Sequence, residues 1–143
     1  NAEELYKMLA KLYCPNIKFT ANKKSLTDAC RGRGRDTFKL AQKINSFAKI
    51  KGSNVLDQKG WEELCRTFEI MPLGLDRQEV DLLELLYANG TMSLGNIALA
   101  MMLNKNNIES EIEVRLRELG LIKSTSKGRE LTDKGIKYVN NLK

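Results

Sequence analysis

The sequence predicts a mainly α-helical protein made of two helical units, the second of which carries a small β-hairpin. Apolar residues recur every three or four positions along most of the 143-residue chain, which is the spacing of amphipathic helices. The pattern breaks at Pro72-Leu73-Gly74-Leu75, and between Leu116 and Gly135 it changes to the order of a hairpin between helices. We therefore expect two domains, residues 1–73 and 74–143.

The first domain is predicted to be a bundle of four helices. They are expected at Glu3 to about Tyr13, about Lys23 to Cys30, the Arg31–Asp36 turn to about Ile50, and Asp57, as N-cap, to Phe68. The segment Asn16–Ala21 is expected to be a loop, and Val55-Leu56 an extended pair. Helical spacing places Leu12, Phe38 and Ile50 on buried faces. The same spacing favours a core position for Trp61 over a stacking role.

The second domain has the element order of a winged helix: three helices, a hairpin and a final helix. The fifth helix is expected to stop at Asn89-Gly90, and Met92 is expected to be a strand residue. Ser93 is expected to cap the sixth helix, whose apolar face reaches Met102, and Thr132 to cap the last helix. The seventh helix is expected from about Asn107 to Leu119. That seventh helix takes the recognition position. Its exposed face is expected to carry Glu109, Glu111 and Glu113, which would repel phosphates, so sequence-specific reading is disfavoured.

The tip of the hairpin is polar and basic. Lysine, arginine and hydroxyl side chains are the groups that bind DNA phosphates, and a glycine lets the backbone approach them closely. A solvated turn of the same composition is a common alternative. The surrounding winged-helix order favours DNA contact, and the predicted contact residues are Lys123, Ser124, Thr125, Lys127, Gly128 and Arg129.

The turn Arg31-Gly32-Arg33-Gly34-Arg35 precedes the third helix. Free backbone N–H groups, a positive helix end and guanidinium groups converge there, which favours a phosphate. The alternative is a flexible turn with exposed arginines. The turn is not a P-loop, because the GxxxxGK[ST] pattern is absent from the chain.

The residue inventory argues against an independent enzyme. The chain has no histidine, and Cys14, Cys30 and Cys65 are far apart, so neither a zinc pattern nor a Cys–His pair is present. We predict no catalytic residue and no metal site. No apolar stretch is long enough to span a membrane and no signal peptide is evident, so a cytoplasmic protein is expected.

Net charge is distributed unevenly between the two domains. Residues 1–73 hold 14 Lys and Arg against 8 Asp and Glu, whereas residues 74–143 hold 10 of each, for a total of +6. Any DNA contact by the hairpin must therefore come from local clustering of charge.

With both domains laid out, the chain resembles the C-terminal part of the RuvB-like Holliday junction branch-migration ATPases, namely a small helical AAA+ lid domain followed by a winged-helix domain. Three stretches carry the resemblance. They are the Arg31-Gly32-x-x-Arg35 turn before Lys39-Leu40, the hinge Leu73-Gly74-Leu75-Asp76 before Asp81-Leu82-Leu83, and the wing from Leu119 to Arg129.

The resemblance implies roles for both basic regions. In that family the arginine of the lid turn senses the γ-phosphate of ATP, which implies Arg35 here. The departure Arg33-Gly34, where the family usually has a small residue and proline, leaves open which of Arg31, Arg33 and Arg35 meets the phosphate. The family's wing touches the DNA backbone, which implies Lys127 and Arg129.

The resemblance also implies a larger assembly. The Walker motifs would lie before residue 1, so we expect ATP and Mg²⁺ to bind only in a longer protein that includes the ATPase domain, and we expect that protein to be a hexameric DNA helicase. This chain alone is expected to be a monomer, without cofactor or ATPase activity, that binds duplex or junction DNA regardless of sequence. The alternative function is a winged-helix protein-interaction or transcription-regulatory module.

Overall fold

A computed structural model describes all residues from Asn1 to Lys143. The chain divides into two compact units, Asn1–Asp76 and Arg77–Lys143. The predicted boundary was at residues 73 and 74, slightly before this division. None of the helices is both long enough and apolar enough to cross a membrane.

The first unit is built from four helices and one short parallel strand pair. The elements are α1 (Ala2–Lys7, continuing as a π-helical segment Met8–Tyr13), β1 (Lys18–Phe19), α2 (Lys23–Ala29), α3 (Gly34–Lys51), β2 (Val55–Leu56), α4 (Gln58–Phe68) and a 3₁₀ turn (Pro72–Gly74). Asn22 and Asp57 cap α2 and α4 by accepting hydrogen bonds from Ser25 N and Gly60 N. The predicted four-helix order and the Asp57 cap are confirmed.

The core of this unit lies between the four helices. Its fully buried side chains include Leu9, Leu26, Ile44 and Leu64. Trp61 joins them with 4% of its surface exposed, which confirms the core position predicted from its spacing.

Three predicted core residues of the first unit are exposed instead. Leu12 is on the surface because α1 widens to π-type turns at Met8, which moves later residues off the helical stripe. The Phe38 ring packs edge-on against Tyr13 at the surface, with centroids 5.3 Å apart. Ile50 falls outside the stripe formed by the buried α3 residues Leu40, Ile44 and Phe47.

The segment Asn16–Ala21, predicted as a loop, contains β1. Lys18 pairs with Val55 and Phe19 with Leu56. The backbone N–H of Lys18 donates to the Asn54 carbonyl, and the N–H of Thr20 donates to Leu56. The loop prediction was wrong here because two residues of strand, paired across a long sequence separation, leave no local periodic signal.

The second unit has the predicted winged-helix order. Its elements are α5 (Arg77–Asn89), α6 (Leu94–Met101), α7 (Lys105–Asn107, Ile108–Ile112 in π form, and Glu113–Glu118), β3 (Ile122–Thr125), β4 (Gly128–Leu131) and α8 (Asp133–Leu142). Ser93 and Thr132 cap α6 and α8 through the N–H groups of Asn96 and Gly135, as expected.

Two details of the second unit differ from the prediction. Met102 is 90% exposed because α6 ends there, with Met102 in the left-handed conformation. The seventh helix begins at Lys105, earlier than the predicted Asn107, because the Asn104 side chain caps it. The core combines leucines and isoleucines of α5, α6 and α7 with residues at the base of the wing and on α8, among them Leu83, Ile108, Leu116, Ile122 and Val139.

Candidate nucleic-acid interface

The wing is an antiparallel hairpin of β3 and β4 with a short tip. Ile122 pairs with Leu131, Lys123 with Glu130, Ser124 with Arg129 and Thr125 with Gly128. This register leaves Ser126 and Lys127 as the connection. The Thr125 hydroxyl accepts from Lys127 N at 3.2 Å and donates to the Gly128 carbonyl at 3.3 Å, so it braces the turn.

Four of the predicted DNA contacts are exposed on this hairpin: Lys123, Ser124, Thr125 and Lys127. Lys123 Nζ lies 3.7 Å from Glu130 Oε1, but more than half of the lysine side chain remains exposed. Because such an exposed pair is weak, the lysine is available to an anion. Together with Ser126, these residues form the polar surface that the wing presents to solvent.

Gly128 has a structural reason to be glycine. It lies against the backbone of Met92 and Ser93, where a Cβ would overlap the Met92 carbonyl, and its φ is +136°. Met92 and the next residue of the wing, Arg129, exchange two backbone hydrogen bonds of 2.9 and 2.7 Å. The bridge at Met92 confirms the predicted strand residue and fastens the base of the hairpin.

The Arg129 side chain is engaged inside the domain and is only 17% exposed. Its Nε donates to Glu113 Oε2 at 2.8 Å, and its Nη2 lies 3.4 Å from Glu113 Oε1 and 3.5 Å from Glu109 Oε2. Such a fork-shaped contact to a carboxylate is a strong geometry for arginine. The structure thus places Arg129 on the wing but turns its guanidinium toward α7.

Glu113 is buried, contrary to the prediction that it lies on an exposed face of the seventh helix. Its side chain is 2% exposed and also accepts from Arg117 Nη2 at 3.2 Å. Glu109 and Glu111 are exposed as predicted. The burial could not be read from helical spacing, because Glu113 is held by an arginine 16 positions away on another element.

The three arginines of the first unit's turn are held differently. Arg31 has a φ of +58°. Its Nη1 donates to the Gly74 carbonyl at 2.8 Å, and its Nε lies 3.7 Å from Asp36 Oδ2. Arg31 therefore braces the turn against the Pro72–Gly74 segment. Arg33 and Arg35 are exposed at the start of α3, an 18-residue helix.

The three cysteine thiols lie in the first unit, where Cys14 and Cys30 are buried and Cys65 is half-buried. Burial raises the pKa of Cys14 and Cys65 to about 11 and also raises that of Cys30. Thiols with raised pKa values are poor nucleophiles near neutral pH. No group of three or more His, Cys, Asp or Glu side chains is arranged to hold a metal ion.

Comparison with known proteins identifies relatives of this arrangement. Residues 72–140 match the family described as the RuvB C-terminal winged helix domain. The Holliday junction branch migration complex subunit RuvB of Wolbachia sp. subsp. Brugia malayi is 30% identical over 115 residues, covering 78% of this chain and 35% of that protein. Its counterpart from Ehrlichia ruminantium (strain Gardel) is 29% identical over 144 residues, covering 98% and 43%. The chain thus spans less than half the length of these relatives.

A solved structure shows the same fold. The Thermotoga maritima RuvB Holliday junction branch migration motor superimposes with a TM-score of 0.86 at 18% identity, covering 98% of this chain and 49% of that one. The resemblance inferred from the sequence and the predicted fold class are both confirmed. The chain therefore carries a RuvB C-terminal winged helix domain at residues 72–140, and it is similar to RuvB proteins over nearly its whole length.

Proposed function

We propose that this chain is the lid and winged-helix part of a RuvB-type DNA translocase, and that the wing contacts the DNA backbone without reading sequence. The observation that carries the proposal is the exposed, hydroxyl-rich wing with Lys123 and Lys127, on a domain of the RuvB family. Lysine and hydroxyl donors bind phosphate oxygens, which are the same at every base pair.

The recognition helix supports sequence-independent contact. Glu109 and Glu111 remain exposed on α7, and carboxylates on a groove-facing helix are repelled by phosphates. The typical base contact of a carboxylate is acceptance from cytosine N4, which would not specify a site by itself. The wing lysines are therefore the proposed DNA contacts, together with Ser124 and Thr125. Gly128 and Arg129 instead hold the wing in place through contacts within the domain.

The experiment is fluorescence anisotropy of labelled DNA with the intact chain. The test variant is Lys123→Ala/Lys127→Ala, and the matched control is Lys137→Ala/Lys143→Ala, which removes the same charge outside the wing. We expect two duplexes of unrelated sequence and a four-way junction to bind the parent, and the wing variant to bind each of them more weakly than the control. Equal binding by both variants, or a strong preference for one duplex sequence, would contradict the proposal.

For the first unit we propose phosphate sensing by Arg33 or Arg35 in a longer protein that includes an ATPase domain. Arg31 fits this role less well because its guanidinium is bonded to the Gly74 carbonyl. Arg35 stands exposed in the first turn of α3, where a positive helix end favours a phosphate. ATP with Mg²⁺ would be the bound nucleotide, and the lid would respond to its terminal phosphate.

A chimera tests this second part. The Arg31–Asp36 turn is transplanted into the lid of Thermotoga maritima RuvB, and ATP hydrolysis is measured. Activity that survives the transplant and is lost on Arg35→Ala, but not on Arg31→Ala, supports Arg35 as the sensor. Full activity with Arg35→Ala and with Arg33→Ala would contradict phosphate sensing by this turn.

A second candidate function is protein binding by the winged helix. Leu99 and Met102 are 78% and 90% exposed near the end of α6, and apolar side chains at such a site favour a protein partner over DNA. Absence of DNA binding in the anisotropy experiment would favour this alternative.

A further inference from the structure

Glu113 stands at the centre of a charge cluster that joins α7 to the wing. Its carboxylate accepts hydrogen bonds from the Arg129 guanidinium at 2.8 and 3.4 Å and from the Arg117 guanidinium at 3.2 Å. It is the only one of these groups that is almost completely buried, with 2% of its side chain exposed. Because a buried carboxylate without partners is very unfavourable, Glu113 and Arg129 constrain each other.

Several contacts hold the base of the wing: Ile122 is buried, with 4% of its surface exposed, and Thr91 Oγ1 donates to Glu130 Oε2 at 3.0 Å. A two-stranded hairpin is marginally stable alone, so its orientation depends on what fastens it to the domain. Here the backbone bridge between Met92 and Arg129 fastens one point of β4, and the Arg129 side chain fastens the same residue to α7. Backbone and side chain of one residue therefore fix the base of the hairpin in two directions.

We infer that Glu113 is a positioning residue for DNA binding. Through Arg129 it holds the wing in a fixed orientation, so the side chains at the tip are already ordered when they meet the phosphates. This inference rests on the proposed DNA contact by the wing. A pre-ordered tip saves the entropy of immobilising side chains on binding. Arg129 thus contributes to DNA binding through its contact with Glu113, the Glu113–Arg129 clamp. The positive charge of its guanidinium is already compensated by the Glu113 carboxylate.

A purely electrostatic role for Glu113 predicts the opposite sign. Removing a carboxylate beside the wing makes the domain more positive and should tighten DNA binding. Loss of positioning should weaken it, even though the net charge has become more favourable. The direction of the change therefore separates the two explanations.

The test compares Glu113→Gln with Glu109→Gln. Both remove one carboxylate that contacts Arg129, but Glu109 is 53% exposed and lies 3.5 Å from Nη2, so it contributes little to the clamp. We expect Glu113→Gln to weaken duplex binding by about 2- to 10-fold, the equivalent of reordering one or two side chains. Glu109→Gln should bind as the parent does, or slightly more tightly.

A readout without DNA makes the role of the clamp visible. The ¹⁵N relaxation of the Ser126 and Lys127 amides should show greater mobility on the nanosecond scale in Glu113→Gln, and parent-like order in Glu109→Gln. The remaining amide spectrum shows that the domain stays folded. A merely stabilising role would lower the unfolding midpoint and leave both the tip order and the affinity of the folded protein unchanged.

Arg129→Lys distinguishes the clamp from direct contact. Lysine keeps the charge, so a direct phosphate contact would largely persist, but it cannot reproduce the forked contact to Glu113. We expect it to mobilise the tip and weaken binding as Glu113→Gln does, and the double variant to be no weaker than either single variant.

The outcomes separate this inference from the proposed function. An ordered tip in Glu113→Gln, or DNA binding at least as tight as that of Glu109→Gln, overturns the positioning role. If Lys123→Ala/Lys127→Ala binds DNA as the control does, the DNA role of the wing fails, whatever Glu113 does to its mobility.

Discussion

Replacing Gly128 by alanine should destabilise the winged helix because of packing inside the domain. The new methyl group would overlap the Met92 carbonyl, and φ at this position is +136°, a conformation that L-residues rarely adopt. The backbone strain costs about 1–2 kcal/mol. Displacing Met92 also weakens its 2.7 Å bond from Arg129 N, which adds about 0.5–1.5 kcal/mol. We expect a total loss of about 1.5–3.5 kcal/mol in the unfolding free energy of this unit.

Gly90→Ala is the matched control. Gly90 also has a positive φ, +74°, but no atom lies within 4 Å of the place where its Cβ would stand. This substitution should therefore cost only the backbone strain, about 1 kcal/mol. The difference between the two variants reports the overlap with Met92 together with the larger backbone strain at φ +136°.

Amide hydrogen exchange measured by NMR provides the assay, because core amides of α5 and α7 report the unfolding free energy of the second unit. The amides of Met92 and Arg129 should exchange faster in Gly128→Ala than in Gly90→Ala. Equal losses of stability in the two variants would refute the packing argument. Gly128 would then be better explained by close approach to a phosphate, and Gly128→Ala should weaken DNA binding instead.

Three further predictions concern the first unit. Asp57→Ala removes the α4 N-cap and should cost about 1 kcal/mol, measured by urea unfolding with the fluorescence of Trp61; no change would mean that the cap is not needed. Arg31→Ala should destabilise the unit, while Arg31→Gly should cost about 1 kcal/mol less because glycine tolerates the positive φ; the reverse order would contradict the strain at this turn. Cys14 and Cys65 have pKa values of about 11, raised from 9.0 by burial, so the folded protein keeps protons that the unfolded chain releases. Stability should therefore be unaffected by these thiols below pH 9 and fall between about pH 9 and 11, and urea midpoints that rise over this range would contradict the assignment.

Local signals explain why most helices could be predicted from the sequence. Caps such as Asp57, Ser93 and Thr132 act on N–H groups three residues away, so the residues that begin a helix are neighbours in the chain. Apolar spacing likewise identified the core residues Leu64 and Trp61. These features depend on residues that are close to one another in the chain, so they can be read from the sequence directly.

Several features that depend on distant partners could not be predicted. The strand at Lys18–Phe19 exists only because Val55–Leu56 lies beside it. Glu113 was expected on the exposed face of its helix together with Glu109 and Glu111, yet its side chain is buried in contact with Arg129. Gly128 and Arg129 were predicted to contact DNA from the composition of the tip, the winged-helix order and, for Arg129, the family resemblance; the sequence did not reveal their contacts to Met92 and Glu113.

The central claim is that the wing lysines contact DNA phosphates, and salt dependence tests it most directly. The logarithm of the observed association constant for duplex DNA is plotted against the logarithm of salt concentration for the parent, Lys123→Ala/Lys127→Ala and Lys137→Ala/Lys143→Ala. Two lost phosphate contacts should make the slope of the wing variant shallower by about 1.8, while the control should keep the parent slope. Equal slopes for the wing variant and the control would contradict the account.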